Sequence, residues 1–451
     1  MIVFRRRLLY WLIKAYIKKW GKLILLYFAI GLFVFFAFNL VFSTIAAKIH
    51  FAKKETIGIV GAYRIEDLPS TILYKISRGL TSVKKDGIVK PDVASYWKIE
   101  NNRKTYVFYL RRDIYFSDGT NLTSDHVRYN FADVSIKRPA KYTIVYSLKD
   151  SYSPFAITVA KPIFKNGLIG VSDHKIKDIK LNGSFVEYID LVSKNGNRVI
   201  YQFYPTTHAL KIAFSLGEVT KIAELPDVNF RDTTFYFFKN AKVDKKPNYK
   251  RLTTLFYNTK DELLSSKTLR EALSYTIPDN FDEGLRSFGP FPPFSFVSQK
   301  GVDIRRQDLQ HAKLLLDKAI NENGTGKKIS LTIDTLPKFK NVADKIVDIW
   351  KRLDIDVDIK TDDKVPEKFQ IFLGEFNLPQ DVDQYTLWHS NQPSNITHYA
   401  NLRVDKLLED GRKEVDVEKR KKIYADFQKF IQSDPPASFL FFPHTYDVTR
   451  K

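Results

Sequence analysis

From Leu23 to Ala47 the chain reads LILLYFAIGLFVFFAFNLVFSTIAA, without one charged side chain. At about 1.5 Å of rise per residue, a helix of that length crosses a hydrocarbon core of about 30 Å with some tilt. The stretch before it holds Arg5, Arg6, Arg7, Lys14, Lys18, Lys19 and Lys22 and no acid. Positive charge on that flank predicts a cytoplasmic N-terminus and everything after Lys48 outside the cell. A cleaved secretory signal is the competing reading, since TIAA offers small residues where a peptidase would cut. The apolar run is far longer than the roughly 7–15 residues of a signal core, which favours an uncleaved anchor.

That segment also accounts for much of the net charge of +21. Residues 1–54 carry ten Lys and Arg and no Asp or Glu, which leaves +11 for the remainder. There the basic residues are interspersed with acids, as in EDGRKEVDVEKRKK. No basic stripe interleaved with aromatics appears, so nucleic acid is not an expected partner. The chain has no cysteine, which excludes disulfides, thiolate metal sites and a thioether lipid anchor.

After a short polar tether, 48–55, the pattern to about 245 is strand-like. ETIGIVG, TYVFYL, YTIVYSL, FAITVA, NRVIYQFY and TTFYFF are short and rich in β-branched and aromatic residues, with KDG, SDG and KNGN turns between them. Helical insertions are expected over 71–80 and 124–131. After KVDKKPNYK the character changes. RLTTLFYNT reads as a buried strand. KTLREALSYTI, LQHAKLLLDKAINEN and KNVADKIVDIWKRL carry apolar residues at helical spacing, separated by the strands KKISLTIDT and DIDVDIK. Such alternation predicts a largely parallel sheet covered by helices. A helix over 416–434 and a strand at ASFLFF follow. The segments expected are thus a cytoplasmic basic segment at 1–22, the membrane helix at 23–47, a first lobe at 56–250 to which 391–451 return, and a second lobe at 251–390. Crossings near 250 and near 385–395 would make a two-strand hinge, and a cleft between hinged domains is where ligands bind.

KPDVASYWKIENNRKTYVFYLRRDIYFSDGTNLTSDHV, residues 90–127, carries the densest motif. The stretch from Tyr106 to Leu110 is expected to bury one face of a hairpin strand, Asp118-Gly119 to make a tight turn, and Thr123 to cap a helix. His126 stands where a capping glutamate would complete the box. This run resembles the signature of the family 5 extracellular solute-binding proteins through Pro91, Asp92, Ala94, Trp97, Phe108, Leu110, Phe116, Asp118, Gly119, Thr120 and Thr123. The resemblance continues through Arg270, Ala272 and Leu273, then through Asp308, Ala312, Leu314 and Leu315, and covers nearly all of 56–446, sparsely in 130–250. It implies an α/β, bilobed periplasmic-binding-protein-like fold of class II, here preceded by one transmembrane helix in place of the usual lipidated cysteine. It also implies a receptor, working as a monomer without cofactor, that hands peptides or peptide-like solutes to the permease of an ABC importer.

In peptide-binding relatives an aspartate near an Asp-Pro loop meets the ligand's ammonium. The matching loop, GEFNLPQDVDQYTLWHS, nominates Asp381 and Asp383, with Tyr385 and Trp388 flanking side chains and His389 and Asn395 completing the candidate set. The proline is absent, and both aspartates equally suit local turn capping. Some relatives carry nickel chelates. His389 and His398 are nine residues apart, without a second His at helical spacing, and do not form a metal motif. No HExxH, GxSxG or CxxC occurs, and NENGTGKKIS imitates a phosphate loop only superficially, so an enzyme is not expected. A non-transport sensor or surface scaffold on the same fold, and nickel-chelate binding, are the alternative functions.

Overall fold

The computed structural model describes residues 2–48, 53–298, 305–322 and 328–451. One helix, Ile2–Lys48, contains the apolar run, and Leu8–Asn39 is long and apolar enough to cross a membrane. The basic N-terminal segment is therefore helical too. This helix forms one compact unit, and nearly all of the chain from Glu55 onward forms another.

In the second unit a twelve-stranded sheet is the frame among the described residues. Its strands run, in spatial order, Asp356–Thr361, Ser330–Thr335, Ile371–Asn377, Arg251–Tyr257, Ala437–Arg450, Lys221–Leu225, Lys54–Val60, Arg198–Tyr204, Phe185–Ser193 and His174–Asn182. Ala241–Pro247 and Gly284–Arg286 also pair with the C-terminal strand. That strand, Ala437–Arg450, belongs to both halves of the sheet. Its first part lies antiparallel to Arg251–Tyr257, with Ala437 opposite Phe256, and its last part lies between Lys221–Leu225 and Ala241–Pro247, with Val448 opposite both Ile222 and Val243.

The expected parallel character is confined to part of the sheet. Ser330–Thr335 pairs in parallel with Asp356–Thr361 and with Ile371–Asn377, each link passing through a helix or long crossover, whereas Arg251–Tyr257 is antiparallel to both of its neighbours. The helices Lys267–Tyr275, Leu309–Glu322 and Lys340–Lys351 cover it as the apolar spacing predicts, burying Leu269, Leu273, Leu316, Ile346 and Trp350 against Leu331 and Ile333. Asn401 and Asp416 accept backbone N–H bonds at the starts of Leu402–Lys413 and Val417–Ser433. Those two helices bury Val404, Leu408, Tyr424 and Phe427 against Phe256, Phe372 and Trp388. Residues 402–433 thus pack on the core built by 251–390.

A separate four-stranded antiparallel sheet holds the signature stretch, in the order Ala94–Glu100, Thr105–Leu110, Thr143–Leu148, Val134–Ala140. Thr105–Leu110 is a central strand there and is buried on both faces, Tyr106 and Phe108 fully, not on one face as its alternation suggests. Gly119 takes a φ of +85° and Asp118 accepts the Thr120 N–H at 2.9 Å, as the Asp-Gly turn requires. Three local expectations fail. FAITVA is not a strand: Phe155–Thr158 is a helical turn entered through Pro154, whose fixed φ suits a helix start. TTFYFF keeps only Thr233–Thr234 extended and then turns as a 3-10 segment, Phe235–Phe237, with the Thr234 hydroxyl accepting from Tyr236. The helix over 124–131 is a single 3-10 turn, Ser124–His126. There His126 fills the role of the missing glutamate, since its Nδ1 accepts the Thr123 N–H at 3.1 Å. The loop GTGK of the superficial phosphate-loop match lies outside the described residues.

Candidate functional site

A cleft of about 750 Å³ opens where the sheet passes from one half to the other. One wall is the turn Lys84–Gly87, held between the strands Thr81–Val83 and Val89–Pro91. Lys84 and Ile88 pair through the backbone, Asp86 accepts the Ile88 N–H at 2.9 Å, and Gly87 supplies a φ of +91°. The same wall continues through Tyr74 and Lys246–Lys250. Opposite stand Phe291–Ser295 and Asn377–Val382. The walls touch at one end. Phe296 N–H donates to the Asp86 carbonyl at 2.9 Å, and the rings of Tyr249 and Phe294 meet edge to face at 4.7 Å. Lys250 O accepts the Leu378 N–H at 2.8 Å, which fixes the start of the 378–384 loop against the crossing strand.

Asp381 lies between this cleft and a smaller hollow of about 110 Å³ lined by Trp97, Tyr106, Phe296 and Arg420. Its carboxylate, 8% exposed, is gripped by both terminal nitrogens of Arg420, which is 6% exposed. Burial alone would lower the guanidinium's pKa. The hydrogen bonds and charge of Asp381 outweigh burial and hold it above the ordinary arginine range. Asp383 is bound by Arg412 Nε at 2.8 Å, and Arg412 lies 4.2 Å over the Tyr385 ring. Both aspartates also do the local work that their loop position allows. Asp381 accepts the Asp383 N–H at 2.7 Å and Asp383 accepts the Tyr385 N–H at 3.0 Å. A ligand ammonium in the cleft would therefore meet a carboxylate, Asp381, that is already paired with arginine. Next to Arg420, burial pushes the Tyr106 hydroxyl up to about 12, and it donates to Tyr152 O at 3.0 Å.

Of the six residues nominated from sequence, only Asp381 lines the large cleft. Trp388 is 1% exposed, donates its indole N–H to Gln384 at 2.8 Å and packs among Phe256, Phe376 and Phe439. Tyr385 lies 4.2 Å over the buried His389 ring, whose Nδ1 accepts the Asn391 N–H at 3.2 Å. Asn395, also buried, donates to Tyr399 O at 2.9 Å and accepts the Thr397 hydroxyl at 2.7 Å. These four are built into the core of the half that carries the loop. Among the described residues, no three His, Asp or Glu side chains come together as a metal site.

The family model for bacterial extracellular solute-binding proteins, family 5 Middle, matches residues 89–398. The chain belongs to that family. The probable D,D-dipeptide-binding periplasmic protein DdpA of Escherichia coli K12 is 22% identical over 84% of this chain and 85% of its own length. The ABC transporter substrate-binding protein CtaP of Listeria monocytogenes superposes with a TM-score of 0.71 at 18% identity, over 88% of this chain and 94% of its own. NikZ from Campylobacter jejuni, solved with Ni(L-His), does so with a TM-score of 0.67 at 20% identity, over 88% and 94%. As a family 5 member the chain has the bilobed binding-protein fold, with the cleft beside the strands that cross between its halves.

Several residues of this family 5 cleft were not singled out from sequence. Lys84 and Lys85 sit in KKDG, which reads only as a turn, and Tyr249 sits in KVDKKPNYK, which reads only as a boundary. The run FGPFPPFSF, residues 288–296, carried an available signal, because aromatic side chains at this density in a proline-broken segment have no strand or helix face to occupy.

Proposed function

We propose that this family 5 protein is the membrane-anchored receptor of an ABC importer, and that it captures a peptide-like solute outside the cell in the cleft of about 750 Å³. The observation that carries this reading is the cleft itself, which has the volume of a small-ligand site and lies beside the crossing strands. Similarity to DdpA, a probable dipeptide-binding protein, and to CtaP, an ABC transporter binding protein, supports it. In this reading the helix Ile2–Lys48 is the anchor and its N-terminus is cytoplasmic. The first lobe is 56–250 completed by 444–451, and the second is 251–443, because the helices over 402–433 share the second lobe's core. A solute that touches both walls shifts the open and closed forms toward closure, with Asp86 and Phe296 meeting at the shut end, and the closed form docks on the permease. Asp381 is one of the polar groups that line the cleft, between it and the smaller hollow. Asp383 acts behind it, holding Arg412 and the loop.

The test is mass spectrometry of solutes that co-purify with the full chain in detergent, alongside alkaline extraction of membranes. Short peptides released on denaturation, and a chain that stays in the bilayer at its full mass, are the expected results. Release of only metal chelates or sugars overturns the peptide assignment, and recovery of a chain shortened after Ala47 overturns the anchor.

A further inference from the structure

Most ionic groups of the cleft pair off and, among the described residues, leave Lys84, Lys85 and Asp86, two cations and one anion, without a salt-bridge partner. Lys250 faces Glu224 at 3.6 Å, Lys246 is bound by Asp447, and Asp381 is bound by Arg420. Asp86 turns one carboxylate oxygen back onto its own turn, at the Ile88 N–H. Lys84 and Lys85 are exposed on the cleft wall, and among the described residues neither has a carboxylate within 4.0 Å. Lys85 lies instead 4.8 Å over the Phe294 ring, at the end where the walls touch. Hydrogen bonding and like charge from Lys84 hold Lys90 below its ordinary pKa, against the opposing pull of Asp86. Three ammonium groups around one short turn outnumber its single carboxylate, Asp86, and a further anion is what that arrangement favours. The rest of the cleft is apolar and aromatic through Tyr74, Tyr249, Phe291, Phe294 and Leu378.

We propose that the cleft selects solutes that join an apolar or aromatic body to a carboxylate, with the acid seated on Lys84 and Lys85 and the body against Tyr249 and Phe294. The inference rests on the reading of the cleft as the solute site. The carboxylate also exchanges for the ring contact of Lys85, so the turn registers an acidic ligand at the point where the two walls meet. Charge recognition at a rim-exposed pair is worth about tenfold in affinity, or about 1.4 kcal/mol.

The test uses two matched pairs of probes on the full chain in detergent, read by calorimetry at 50 mM and 500 mM salt. One pair is Gly-Phe-Glu and Gly-Phe-Gln-amide, and the other is 3-phenylpropionate and 3-phenylpropionamide. The expected result is that each acid binds about tenfold more tightly than its amide at low salt, that Lys84→Gln/Lys85→Gln abolishes the difference, and that Lys84→Arg/Lys85→Arg keeps it. Should neither acid exceed its amide, or should the preference survive in the glutamine variant, the proposal is overturned. Should both tripeptides fail while phenylpropionate outbinds its amide through the lysines, the peptide reading falls and this inference stands. Equal binding of the two tripeptides, with no preference in the second pair, has the opposite meaning.

Discussion

Replacing Asp381 with asparagine would leave Arg420 as a buried cation without its counter-ion. Both side chains are under 9% exposed, so little water is at hand to take over the lost contact. The carboxylate now accepts from both terminal guanidinium nitrogens, the remaining Nε–H reaches Gly411 O at 2.9 Å, and the nearby Asp383 carboxylate is already bound by Arg412. Removing one partner of a buried pair costs about 3–5 kcal/mol. At about 2.1 cal/mol/K of unfolding entropy per residue, spread over roughly 400 residues, that is a fall in Tm of about 4–6 °C. Urea unfolding followed by tryptophan fluorescence gives the free energy, since Trp350 and Trp388 are both buried in this half. Removing both charges, as Asp381→Leu/Arg420→Met, takes away the stranded cation and recovers most of the loss. The reasoning is refuted if the asparagine variant lies within about 1 kcal/mol of the parent, or if the double variant is no more stable than it.

A methyl group at Gly79 would stand 2.3 Å from Ala160 O, a backbone atom, so Gly79→Ala costs about 2–3 kcal/mol in the same unfolding assay. Thr276→Val removes the hydroxyl that accepts the buried Trp350 N–H at 2.6 Å and costs about 1–3 kcal/mol, with a shift in the fluorescence of that indole. The Lys165 ammonium and the Thr120 N–H hold Asp118 down at about 2. Its folded pKa is below the ordinary 3.8, so its stabilisation is in place above about pH 4 and is lost as pH falls toward 2. NMR titration should find that low midpoint, and Lys165→Met should return it toward 3.8.

How far the sequence could be read depended on how local the causes are. Helices 267–275, 309–322 and 340–351 were legible because each buries one face against a sheet, and the period of that face is written in the chain. The Asp118-Gly119 turn was legible because glycine alone takes its φ without strain. Phe155–Thr158 was misread because a segment buried on all sides shows no period, and a short apolar run fits either geometry. The role of His126 was hidden because imidazole is an uncommon third member of a capping box. For the candidate site, the loop nominates Asp381, which lines the cleft. Arg420, its partner 39 residues on, was visible only as one basic residue in a basic helix, because long-range pairing leaves no local mark. An aromatic side chain in a loop-like stretch looks the same in sequence whether it faces a cleft or a core, and Trp388 is in the core.

The strand Ala437–Arg450 fills the gap in the middle of the large sheet and follows every other strand of that sheet in chain order. Until it emerges, Arg251–Tyr257 and Lys221–Leu225 each keep a bare edge and neither half is closed. A sheet whose completing strand comes after all its partners in the chain stays open until that strand is made, so its two halves close together and late.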